Sequence, residues 1–95
     1  RSMMYFITSI SEKHGNRCVG YVSELKDAVN IVENNYADLN EAGYYPYVVI
    51  ENVEEGIYQY DQNPLWFKYN EELDKYEKSK RPSFIPNNHV GFGIG

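Results

Sequence analysis

Cysteine occurs once in this chain, at Cys18, so no disulfide can form within it, and a lone thiol fits a reducing compartment. Histidine occurs twice, at His14 and His89, and a metal centre would need the two to meet and to recruit carboxylates. The chain has no His-Glu-x-x-His, no Cys-x-x-Cys, no Walker A loop and no EF-hand pattern. Gly91-x-Gly93-x-Gly95 lacks the spacing and the following helix of a dinucleotide fingerprint. No apolar run is long enough to span a membrane, no signal peptide is visible, and no Asn-x-Ser/Thr acceptor exists. Basic side chains number nine against fourteen acidic ones, a net charge of −5, which argues against general binding of nucleic acid because phosphate neutralisation needs a basic excess. These absences point to a cytoplasmic protein with no membrane attachment, no direct nucleic-acid binding, no metal and no cofactor.

What is present is an ordinary globular balance, 42% hydrophobic and 24% charged, in a length that holds one core. Arg1-Ser2 ahead of Met3 reads as a cloning scar, leaving residues 3–95 as a single domain. The aromatic share is not ordinary: ten residues are Tyr, against four Phe and one Trp. A phenol gives bulk with a polar tip and suits half-wet surfaces, interfaces and ligand sites. A small core finished with Tyr in place of Phe would look the same.

The strongest strand composition lies at residues 44–53, Tyr-Tyr-Pro-Tyr-Val-Val-Ile-Glu-Asn-Val. Tyr47, Val49 and Val53 fall on one face and Val48 and Ile50 on the other, so the spacing predicts a central strand covered on both sides. Before it, residues 4–10 and 17–22 read as a hairpin around His14-Gly15-Asn16, with Gly20 marking a bulge or a close backbone approach. Ser23 reads as the N-cap of a helix over about 24–35. Leu25, Ala28, Val29, Val32 and Tyr36 recur along one stripe of that helix, so Val29 and Val32 should face the sheet. Asn34-Asn35 can end the helix in an irregular or 3₁₀ turn through Asp38; the alternative carries it to Ala42, stopped by Gly43. After the central strand come a turn at 54–56, a short extended piece at 57–60, a strand at 65–70, a turn at 71–74 and a strand at 75–78. Pro82 and Pro86 make residues 79–88 a loop, and Phe92–Gly95 could close the domain as an edge strand. The predicted fold is α+β: a mainly antiparallel sheet of about five strands with one helix packed on a face, in ββαβββ order.

Several stretches together resemble a known family: Met3-Met4-Tyr5-Phe6-Ile7-Thr8, Asn34-Asn35, Tyr47-Val48-Val49-Ile50-Glu51, Glu55-Gly56-Ile57, Trp66-Phe67-Lys68-Tyr69 and a closing Phe92-Gly93-Ile94-Gly95. The family is one of small open reading frames common in gut Firmicutes and their phages, and the resemblance covers almost the whole chain. It implies a genomic setting and transfers no catalytic residue. That setting favours phage counter-defence or an accessory role over housekeeping metabolism.

The one constellation with chemical content is aromatic and basic. Residues 1–62 carry four basic and ten acidic side chains, whereas residues 63–95 carry five basic and four acidic. Within that second stretch, Trp66, Lys68, Tyr69, Tyr76, Lys78 and Arg81 form the candidate ligand site, combining stacking surfaces with phosphate partners. Arg81 is the best anchor because its planar fork grips phosphate with two bonds. If Tyr69 points to the core with Phe67, then Trp66 and Lys68 form the outer surface. A Lys-decorated edge that resists aggregation would carry the same residues. Cys18 as a nucleophile and Glu51, Glu54 and Glu55 as acid–base carboxylates rank below the readings that make them a small apolar strand residue and a solvated turn. The expected function is therefore a non-catalytic binder that sequesters a nucleotide-derived or otherwise phosphorylated small molecule. The alternative is an acidic inhibitor of a host defence protein, anti-CRISPR-like or mimicking nucleic acid; a small enzyme ranks last. Tyr44, Tyr45, Tyr58 and Tyr60 are the candidates for an interface in a homo-oligomer.

Overall fold

The computed structural model describes residues 3–54 and 64–85. Its elements are β1 (Met3–Ser11), β2 (Gly15–Val22), α1 (Leu25–Asn34), a single 3₁₀ turn at Tyr36–Asp38, β3 (Tyr47–Glu54), β4 (Leu65–Asn70) and β5 (Lys75–Ser79). All pairings are antiparallel, in the order β2-β1-β3-β4-β5, so the strand of strongest composition is the middle of five. With α1 packed on this sheet as the single α-helix among the described residues, the predicted α+β class and ββαβββ order hold. The expected cloning scar at Arg1-Ser2, the rest of the expected turn at 54–56, the expected extended piece at 57–60, His89 and the expected closing strand at 92–95 lie outside the described residues.

The period-2 alternation of β3 decides where the two halves of the core sit. Val48 and Ile50 face α1 and pack with Ile7, Ala28, Val32, Phe67 and Tyr76. Val49 faces the other way and packs with Ile10, Trp66 and Ile85, flanked by Tyr47 and Phe84. The loop after β5 therefore folds back over the sheet face opposite the helix, and the Phe84 ring meets Tyr47 edge-on at 5.8 Å.

The first hairpin turns where its sequence asks it to. The Ser11 hydroxyl accepts from the Lys13 and His14 amides at 3.2 and 3.1 Å, and Gly15 takes the positive φ of 81° that a Cβ would oppose. Between Ile7↔Gly20 and Thr8↔Cys18 the register slips by one residue, a bulge at Val19 beside Gly20. A Cβ on Gly20 would meet nothing within 4 Å, so the bulge and not a close approach accounts for the signal there.

Helix α1 presents Ala28 and Val32 to the sheet as fully buried contacts, with Val29 half-buried beside them. Its N-cap is Glu24, in extended conformation and with no side-chain cap bond, not Ser23 as predicted. Leu25, the first residue of the helix, and Tyr36, beyond its last, leave the stripe and are exposed; the helix ends before Tyr36 can complete another turn over the sheet. Asn35 stops it by adopting the left-handed conformation (φ 43°, ψ 49°) while its amide still bonds the Ile31 carbonyl at 3.0 Å. The extension to Ala42 is thereby excluded. No helix among the described residues is long and apolar enough to cross a membrane.

Candidate functional site

The six residues of the predicted ligand site do not converge. The β4–β5 register sets Trp66 opposite Ser79 and Lys68 opposite Glu77 on one face, and Phe67 opposite Lys78 and Tyr69 opposite Tyr76 on the other. Tyr69 does turn to the helix side with Phe67, as the alternation requires. Trp66, however, is not an outer-surface residue: it is 7% exposed beneath Ile85, because both faces of the sheet are covered here. Tyr76 is likewise withdrawn, at 1% exposure, with its hydroxyl donating to the Tyr45 carbonyl at 2.7 Å. Burial, then the charge of Asp38, pushes its phenol far up. Arg81 is exposed but turns its guanidinium to the Ile85 carbonyl, pinning the loop that covers Trp66.

Three of the six, Lys68, Tyr69 and Lys78, do line one open depression of 420 Å³. Its rim also carries Glu71, Glu72 and Glu77, so carboxylates outnumber ammonium groups there. Glu77 accepts from the Asn70 amide at 2.9 Å. The Tyr69 hydroxyl donates to Asp74, and this bond, aided by desolvation and by the acidic neighbours, pushes its pKa up to about 12. Among the described residues no group of three or more His, Cys, Asp or Glu is placed to hold a metal ion. Cys18 is exposed on edge strand β2.

The more organised region is one the sequence did not single out. At one end of the sheet three connections meet: the β1–β2 turn, the segment joining α1 to β3 and the β4–β5 turn. Pairing of Ile10 with Tyr47, of Tyr47 with Lys68 and of Asn70 with Lys75 brings them there. Residues 35–46 are not slack. Asn35, Ala37, Asp38 and Glu41 all hold left-handed φ values between 43° and 54°. Such a run in residues other than glycine persists only where surrounding contacts over-determine it.

Those contacts start from a buried amide. Asn40 is 0% exposed; its Oδ1 accepts from the Ser9 hydroxyl on β1 at 3.2 Å, and its Nδ2 donates to Asn35 Oδ1 at 3.2 Å. The same Asn35 oxygen accepts the Asn40 backbone N–H at 2.9 Å. Asp38 Oδ1 accepts from the Ala42 amide at 2.9 Å and from Asn35 Nδ2 at 3.0 Å, which holds its carboxyl below the usual range and keeps it ionised. From outside, Arg17 on β2 donates to the Leu39 carbonyl at 3.1 Å and pairs with Glu41 at 3.1 Å. His14 meets the Tyr44 ring edge-on, with centroids 5.4 Å apart.

The segment so fixed leaves large apolar side chains uncovered. Tyr36 (67%), Leu39 (45%) and Tyr44 (59%) stand exposed on it, and Leu73 (54%) stands exposed on the β4–β5 turn. Between these two connections lies a depression of 410 Å³ lined by Asn34, Ala37, Asp38, Gly43, Tyr69 and Asp74 among others. Of the residues proposed for an oligomer interface, Tyr44 is exposed and Tyr45 half-buried, while Tyr58 and Tyr60 lie outside the described residues. No family model, curated protein or solved structure matches this chain.

Proposed function

We propose that this chain is a small, non-catalytic, cytoplasmic binding protein that holds a protein partner against its surface. The resemblance to phage-borne reading frames makes a host defence protein the natural partner and inhibition the natural outcome. One observation carries the reading: Tyr36, Leu39 and Tyr44 are held at the surface on a segment whose backbone is already fixed, with Leu73 at the same end. Exposed aromatic anchors on a pre-organised backbone lose little ordering entropy on association, which is what a protein interface needs.

A second reading, sequestration of a nucleotide-derived or phosphorylated small molecule, is favoured by the gathering of Lys68, Tyr69 and Lys78 around one depression. It ranks lower because the carboxylates on that rim oppose a phosphate and because Trp66 and Tyr76 are withdrawn from stacking. The test is native mass spectrometry of the protein purified from its host. Co-purification of a protein partner in fixed stoichiometry is the expected result. A co-purified nucleotide transfers the function to the second reading, and a doubled mass alone assigns the exposed tyrosines to a homodimer.

A further inference from the structure

Resting on that reading of a protein-binding surface, we infer that the end of the sheet formed by the α1–β3 segment and the β4–β5 turn is the docking surface, and that its occupant is a cationic segment of another protein carrying apolar side chains between its basic ones. Four of the seven large apolar side chains exposed among the described residues, Tyr36, Leu39, Tyr44 and Leu73, lie at this end. The opposite end has Met3, Tyr21 and Leu25.

Charged groups surround those side chains. The three connections and the strand ends beside them bring Glu12, Asp38, Glu41, Glu71, Glu72, Asp74 and Glu77 to this end, against Lys13, Arg17, Lys68 and Lys75. Arg17 is already spent on Glu41 and the Leu39 carbonyl. Asp38 is fixed as a carboxylate by its two hydrogen bonds within the segment. Exposed apolar side chains among carboxylates in excess repel acidic partners and steer basic ones, so charge complementarity selects a cationic occupant over a second copy of this acidic chain. The fixed backbone adds geometry: the carboxylates and the aromatic rings keep one spacing, so recognition does not wait for a loop to order.

The test titrates isotope-labelled protein with two synthetic amphipathic peptides of equal length, one built of Leu and Lys and the other of Leu and Glu, and follows the backbone amides. Binding of the Leu/Lys peptide is expected, with the shifts confined to residues 12–14, 35–46 and 71–75, and weakening as salt is raised. Leu39→Glu and Tyr44→Glu, both at exposed positions and each checked for an unchanged melting profile, should weaken that binding by about tenfold or more. No binding of the Leu/Lys peptide at millimolar concentration overturns the inference, as does equal binding of the Leu/Glu peptide or a shift map centred on another face. The two proposals fail separately: a protein partner in the native mass spectrum together with a shift map elsewhere keeps the protein-binding reading and removes this surface.

Discussion

Replacing Asn40 by Ala tests whether residues 35–46 are held as a fixed piece. Asn40 is completely buried and its carboxamide makes two side-chain bonds, to Ser9 and to Asn35. Removing it leaves the Ser9 hydroxyl buried at 0% exposure without its acceptor, which costs about 1–3 kcal/mol. The bond to Asn35 adds about 0.5–1.5 kcal/mol, since the Asn35 oxygen keeps the Asn40 backbone amide. The total expected loss is about 2–4 kcal/mol, a large fraction of the roughly 5–10 kcal/mol that a domain of this size has. At about 4–8 °C per kcal/mol, melting should fall by at least about 8 °C. Urea unfolding of Asn40→Ala, Ser9→Ala and the double variant closes a cycle, with a coupling of about 1 kcal/mol expected between the pair. A loss below about 0.5 kcal/mol for Asn40→Ala, or additive effects of the two changes, would refute the idea that this network fixes the segment.

Ala37 holds φ 54°, where its Cβ is a liability, so Ala37→Gly should raise stability by about 0.5–1 kcal/mol in the same urea assay; a loss of that size would mean the left-handed conformation is not adopted. Val32→Asp buries an unpaired charge against Ile7, Phe67 and Tyr76 and should remove several kcal/mol, roughly the whole stability, whereas exposed Glu33→Ala should do almost nothing; equal melting shifts would place the wrong helix face inward. Trp66, the only tryptophan, should emit at the short wavelengths of an apolar site and resist quenching by iodide; a water-like, readily quenched spectrum would put it outside. Tyr69 binds its proton more tightly when folded, so its contribution is fully present below pH about 10 and fades as pH rises through about 12. An ultraviolet titration should show Asp74→Asn returning one phenol toward 10, and an unchanged profile would rule out the Tyr69–Asp74 bond.

The scaffold was legible where periodicity was unambiguous. Val48 and Ile50 against Val49 states a strand covered on both faces, and Asn34-Asn35 states a helix end, because both signals are local. The candidate site was read less well because β4 runs Leu65-Trp66-Phe67, apolar at consecutive positions. Its alternation was right, but whether the second face is open depends on Phe84 and Ile85 folding back from a segment that composition marks only as loop. The Ser9–Asn40–Asn35 network was illegible for another reason: it joins residues thirty-one positions apart, and nothing about a serine in a strand announces an asparagine in a distant turn. The nearest signal was the density of Asn and Asp between Asn34 and Asn40, residue types that tolerate left-handed backbone and bond their own neighbours.

Photo-crosslinking in the host cell tests the proposed surface most directly. A photoreactive phenylalanine replaces Tyr36, Tyr44 or Tyr21 in turn; Tyr21 is 61% exposed, as open as Tyr44 at 59%, but sits at the opposite end of the sheet beside Phe6. The expected result is one protein adduct of the same mass from positions 36 and 44 and none from position 21. Adducts from position 21 alone, equal adducts from all three, or an adduct of twice the chain's own mass would contradict a cationic partner docked at the α1–β3 end.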